Sequence, residues 1–218
     1  MKKNLLNILF YSSLGLFLLL LILILTVDVS INPITNYGVG LYSLNELFLV
    51  NIGDAKMWDM ISDVFLVSSI LSVFCIACLG LYQLIKYKSL KKVDSKILLL
   101  GGFIIIMIVI WLVFDNLLII NYRPIYIDGQ LEGSFPSTHI LVVTFVYLVS
   151  CQFFDMENKT KLFKIVLYGF SLVAILLTSV GRMFSLMHWF TDVLGGILLG
   201  LVLYFAYLKI LQKLQVNK

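Results

Sequence analysis

Residues 5–27 read LLNILFYSSLGLFLLLLILILTV, without one charged side chain. A helix needs about 20 mostly apolar residues to cross the hydrocarbon core of a bilayer. Inside lipid every backbone N–H and C=O must be paired within the element itself, which leaves the helix or the closed barrel. This run is far longer than a strand, so it reads as a spanning helix. Met1-Lys2-Lys3 precedes it and Asp28-Val29-Ser30 follows, with no small-x-small cleavage site, so the sequence predicts an uncleaved span rather than a signal peptide.

Working outward, five more apolar runs qualify: residues 64–85, 97–120, 138–154, 162–180 and 189–210. The predicted fold class is all-α, an integral membrane bundle of about six transmembrane helices forming one domain over residues 1–218. Composition agrees. The chain is 61% hydrophobic and 13% charged, against roughly half and a quarter for a soluble domain, and its mean hydropathy is +1.04. The net charge of +4 does not point to nucleic acid, because the lysines sit in short clusters between apolar runs. Lysine and arginine are retained in cytoplasmic loops. With the N-terminus inside, six spans place all but three of the 16 basic residues on that side, from Lys2 and Lys3 to Lys218. Lys56, Arg123 and Arg182 remain outside. The expected location is the cell membrane, multi-pass, with both termini cytoplasmic.

Residues 28–63 form the longest outer connection. Leu41, Leu44, Leu47, Phe48 and Ile52 recur there at near-helical spacing, which predicts a short interfacial helix after the first span. Cys75-Ile-Ala-Cys78 has the spacing of a redox or zinc motif. Its setting is an apolar helix, so these cysteines, with Cys151, read as small buried apolar residues.

The chemistry gathers at the outer ends of the spans. His188 and Asp192 are four apart, which puts them on one helix face with Cβ atoms about 5–6 Å apart. An Asp there can accept from one imidazole nitrogen and leave the other free as nucleophile or base. The plainer alternative is a capping Asp beside an interfacial His. Gly196 and Gly200 continue the stripe, and small residues let a neighbouring helix approach closely, so the stripe is expected to face the bundle core. Phe135-Pro136-Ser137-Thr138-His139 reads as a helix start, whose free N–H groups form an anion site, unless Ser137 is only a cap. Arg123, in Asn121-Tyr122-Arg123-Pro124, and Arg182 would each, alone, read as snorkelling arginines. Two guanidinium forks, a helix N-terminus and two histidines together are what phosphoryl binding and transfer require.

These residues resemble the type 2 phosphatidic acid phosphatase superfamily, whose signature runs K-x6-R-P, P-S-G-H and S-R-x5-H-x3-D. The chain has Asn116-x6-Arg123-Pro124, Pro136-Ser137-Thr138-His139 and Gly181-Arg182-x5-His188-x3-Asp192, over residues 116–192. Three positions depart from the pattern: Asn116 replaces a Lys, Thr138 a Gly and Gly181 a Ser.

The resemblance implies a metal-independent phosphatase with no cofactor; a site between helices at the outer headgroup level is expected to be reached by a lipid phosphate or polyprenyl pyrophosphate of the outer leaflet. By the resemblance, His188 looks like the nucleophile that forms a phosphohistidine, and Asp192 like its orienting partner. His139 looks like the general acid. Arg123, Arg182, Ser137 and the backbone at Thr138 would hold the phosphate oxygens. A phosphotransferase of the same fold and a non-catalytic lipid-phosphate binder are the competing readings. The expected partners are the lipid substrate and the bilayer, with no nucleic acid.

Overall fold

The computed structural model describes residues 3–49, 53–154 and 160–216. Among the sequence expectations, Ile52 and the cluster members Lys2, Lys159 and Lys218 lie outside them. The elements in chain order are α1 (Lys3–Thr26), a two-residue hairpin of β1 (Ser30–Ile31) and β2 (Gly38–Val39), and α2 (Tyr42–Phe48). Then come α3 (Ala55–Tyr87), a 3₁₀ turn at Leu90–Lys92, α4 (Ser95–Asn116), α5 (Thr138–Phe154), α6 (Lys161–Phe184) and α7 (Phe190–Val216). Among the described residues five helices are long and apolar enough to cross a membrane, and α5 is a shorter apolar helix. The chain is a multi-pass, all-α membrane protein, as the sequence predicts.

The burial pattern explains why α5 is short. Ile140, Leu141, Val143, Phe145, Val146, Val149 and Cys151 are all within 1% of full burial, so protein surrounds α5 and lipid hardly touches it. α7 packs on α1 and α5, while α3 packs on α6 and α5. The stripe of Gly196 and Gly200 does face this core. A Cβ on Gly196 would lie 2.6 Å from the Ser137 carbonyl oxygen, and one on Gly200 would lie 2.8 Å from Thr144 Cβ. The two helices can therefore touch backbone to backbone.

The lysine-rich helix ends meet at one end of the bundle. Lys96 Nζ, at the start of α4, donates to the Gln152 carbonyl near the end of α5 at 3.1 Å. Tyr207 Oη, late in α7, donates to the Lys96 carbonyl, and Lys209 lies over the Phe10 ring at the start of α1. The arginines and histidines are at the other end.

Several boundaries differ from the sequence reading. α3 begins at Ala55 rather than 64, because Asp54 caps it, accepting from Lys56 N. Its first three turns carry Asp59 and Asp63, which end an apolar count. α4 stops at Asn116 rather than 120, and α6 runs on to Phe184 and so includes Arg182. The short helix after the first span exists, but it ends at Phe48, and Leu41 stands outside it with φ +51°. Its Asn45 is buried: Nδ2 donates to Gly40 O and Thr191 Oγ1, and Oδ1 accepts from Thr191 N. α2 is thus pinned to the start of α7. Cys151 is buried, whereas Cys75 and Cys78 are exposed on the outside of α3. An apolar thiol needs no burial where the surrounding solvent is lipid.

Candidate active site

Three chain segments converge at the end of the bundle away from the lysines. The first is the connection between α4 and α5, a narrow excursion closed by isolated bridges Tyr122–Gly133 and Ile127–Gln130. Arg123 N donates to the Glu132 carbonyl across it at 3.1 Å. Asn32 Nδ2 donates to Pro124 O at 2.9 Å, and Trp189 Nε1 donates to Tyr122 O at 2.8 Å. These bonds hold the backbone on both sides of Arg123. Its guanidinium then pairs with Glu132 at 2.7 Å.

The second segment is the start of α5. Ser137 N donates to the Asp192 carbonyl at 3.0 Å, which ties the first turn of α5 to the first turn of α7. Ser137 is fully buried, and its hydroxyl has no partner. The third is the turn from α6 to α7. His188 N donates to the Arg182 carbonyl at 3.2 Å, so the last turn of α6 places His188.

His188 is 5% exposed. Its Nδ1 lies 3.0 Å from the Ser134 carbonyl oxygen. A carbonyl only accepts, so Nδ1 carries the proton and Nε2 is the unprotonated nitrogen. Burial pushes the imidazole well below its ordinary pKa of 6.5, and the positive charges of Arg182 and Arg123 act in the same direction. A neutral ring with a bare Nε2 is a nucleophile ready at ordinary pH.

Asp192 stands 3.8 Å from that Nδ1, longer than a hydrogen bond. Its two oxygens accept instead from Asn121 Nδ2 at 3.1 Å and from Trp189 N at 2.9 Å. It therefore caps α7 and anchors Asn121 beside the imidazole. The direct acceptor is the Ser134 carbonyl. A backbone atom in that role has no residue-type signature, so the sequence pointed to Asp192.

Arg123, Thr138, His139 and His188 line one cavity of about 410 Å³, together with Trp111, Asp115, Glu132 and others. Arg182 and Ser137 stand behind that lining. Arg182 donates through Nη1 to Asp59, and its charge acts on both histidines. The Nε groups of Arg123 and Arg182 are buried without partners. An unpaired buried donor is costly, and three of them, with the Ser137 hydroxyl, point to an anion with several oxygens. Asn116 does not reach this group: it is exposed and donates to Leu112 O on its own helix. Among the described residues no three His, Cys, Asp or Glu side chains gather to hold a metal ion. The sequence reading missed Asn121, which two positions before Arg123 could have been noticed. It also missed Asp59 and Asp63.

A second cavity, about 570 Å³, shares Trp111, Thr138 and His139 with the first. It runs between α3, α4 and α5 and is walled by aliphatic side chains such as Leu66, Ile70, Met107 and Val146.

No curated protein sequence matches the chain. The fold is that of a transmembrane PAP2-type phosphatidylglycerolphosphate phosphatase from Bacillus subtilis, known from its crystal structure. The TM-score is 0.63 at 21% identity, over 94% of this chain and 96% of that one. The family model for the PAP2 superfamily matches residues 116–215, which contain both histidines, both site arginines and Asp192. Over that segment the chain is similar to the PAP2 superfamily, and over nearly its whole length it shares the fold of that membrane phosphatase.

Proposed function

We propose that the protein is a metal-independent hydrolase that removes phosphate from a membrane lipid phosphate or polyprenyl pyrophosphate through a phosphohistidine. The observation that carries this reading is the joined pair of cavities. One holds Arg123, His139 and His188. The other is an apolar groove that also reaches His139. A soluble phosphate ester has no use for such a groove, whereas a lipid tail fills it.

In the first step His188 Nε2 attacks phosphorus and the bond to the ester oxygen breaks. His139 gives that oxygen a proton, and the alcohol leaves. In the second step a water molecule loses a proton to His139 and attacks phosphorus. The phosphorus–nitrogen bond breaks and inorganic phosphate is released. Arg123, Arg182, the Ser137 hydroxyl and the α5 N-terminus at Thr138 hold the phosphate oxygens. Phosphoryl transfer asks mainly for such positioning and charge stabilisation. Asp192 orients the site by fixing the α7 start and Asn121. The lysine-rich end faces the cytoplasm with both termini, so the site faces outward, in reach of outer-leaflet lipids.

Purified protein in detergent or vesicles is expected to release phosphate from at least one of phosphatidate, phosphatidylglycerophosphate and a polyprenyl diphosphate, at an unchanged rate in EDTA. Activity lost to the chelator and restored by a divalent metal would refute the mechanism. Phosphate appearing on an added acceptor lipid rather than free would make the enzyme a transferase.

The pH profile follows from His188. Activity is lost on the acid side as the nucleophile protonates, so a depressed pKa moves that loss downward. The limb of kcat/KM due to His188 is expected below pH 6.5, the ordinary value. A limb from this residue at or above 6.5 contradicts the buried, neutral ring.

A further inference from the structure

Each basic group of the site stands against a carboxylate, and two of those carboxylates come from α3. Asp59 Oδ1 accepts from Arg182 Nη1. Asp63 Oδ1 lies 3.2 Å from His139 Nε2. Asp59 and Asp63 are four apart, so they share one face of α3, and both lie outside the segment that matches the family model. Packing fixes where that face sits. A Cβ on Gly181 of α6 would come within 2.7 Å of the Trp58 carbonyl oxygen. The Trp58 ring also meets the Phe184 ring edge-on at 5.1 Å. The start of α3 is thus docked on the end of α6 by contacts independent of the two carboxylates.

We propose that Asp63 and Asp59 are positioning residues for the reaction: Asp63 holds His139 ready as the general acid, and Asp59 aims the Arg182 fork at the phosphate. This inference rests on the phosphohistidine reading above. A general acid must carry the proton it gives. A carboxylate accepting from one ring nitrogen favours the doubly protonated imidazole. It also fixes the ring, as the third member of a nucleophile or acid group commonly does.

The other titratable groups facing His139 are Arg182 from α6, Arg123 from the α4–α5 connection, the neutral His188 from the α6–α7 turn, and Asp59. Asp115 of α4 and Glu132 line the same cavity. The arginines disfavour a positive charge on His139 and Asp59 favours it, while Asp63 fixes the ring through its hydrogen bond. In the step itself the imidazolium loses one proton to the ester oxygen as the phosphorus–oxygen bond breaks. It ends neutral, still beside Asp63. For Arg182, occupation of Nη1 by Asp59 leaves the buried, unpartnered Nε edge to meet phosphate oxygens.

The test compares two substrates on the full-length purified protein. Phosphatidate has an alkoxide leaving group that needs a proton. p-Nitrophenyl phosphate has one that departs as a stable anion. Asp63→Asn is expected to lower kcat on phosphatidate by about 10–100-fold, part of what a general acid contributes, and on p-nitrophenyl phosphate by under about 3-fold. Asp63→Glu should recover part of the loss. Asp59→Asn is expected to weaken competitive inhibition by inorganic phosphate about 10-fold with either substrate, as for one charge-assisted hydrogen bond lost. An equal fall on both substrates for Asp63→Asn would reduce Asp63 to a structural role, and a rise would make it a blocker of the site. Either result overturns the proposal. His139→Ala is the reference. If it shows no leaving-group dependence, the general-acid reading itself fails and the α3 inference goes with it. If it does and Asp63→Asn does not, only the α3 inference fails.

Discussion

Replacing His188 by alanine is expected to abolish phosphate release, by roughly 10⁴-fold or more, as loss of a covalent nucleophile does. The ring is the one base in the cavity whose tautomer the surrounding backbone dictates, through Nδ1 and the Ser134 carbonyl. No neighbouring side chain can replace it. His139, the other imidazole, has its Nε2 engaged with Asp63. Because His188 is buried, its removal leaves the Ser134 carbonyl unpaired, at a cost of about 1–3 kcal/mol. The variant should therefore melt at a lower temperature yet remain folded, and a thermal unfolding curve in detergent separates that loss from the loss of chemistry. Wild-type protein quenched during turnover should carry phosphate on His188, released by mild acid. A variant that keeps a tenth of wild-type activity would remove His188 from the nucleophile's role.

The second large effect is expected from Gly196→Val. The position is on α7, one turn beyond Asp192, and touches no substrate. A Cβ there would lie 2.6 Å from Ser137 O and 2.9 Å from Ile140 Cβ. The Ser137 oxygen is backbone, so it cannot swing aside as a flexible side chain can, and α5 and α7 must separate instead. Overpacking of this kind costs about 1–3 kcal/mol, occasionally more. The separation falls where Ser137 N bonds Asp192 O, so it moves the phosphate cradle away from His188. A displacement of about 1 Å at a reacting centre can cost roughly 10²-fold in rate. The control is Gly101→Ala on α4, where an added Cβ meets nothing within 4 Å. Its activity and melting temperature should stay close to wild type. Full activity in Gly196→Val would mean that the close crossing does not set the geometry of the site.

These two positions mark what was legible from sequence. Gly196 and Gly200 repeat at a helical step, and the step alone placed them at a helix contact. α5 begins and ends where the apolar run predicted, at Thr138 and Phe154, because a buried helix is bounded by its own first polar neighbours. The start of α3 was lost for the opposite reason. Asp59 and Asp63 are charged, so an apolar count stops at 64, while the helix continues through them as partners of Arg182 and His139. Asn116 shows a different limit. Spacing aligned it with a family lysine, yet the helix turns its side chain back to Leu112. The Ser134 carbonyl was invisible altogether, since any residue could supply it. Side-chain chemistry at fixed spacing was readable, whereas contributions from backbone atoms and from distant helices required the fold.

Every basic group of the pocket lies at the bundle end opposite the lysines, with none beside Lys96 or Lys209. The molecule is therefore chemically one-sided. On the proposed function it processes only lipids whose headgroups lie in the leaflet at the arginine and histidine end, and releases both products there. By that reading, lipids of the opposite leaflet would become substrates only after being flipped across, and the rate of that crossing would set how much of the membrane's total pool the protein consumes.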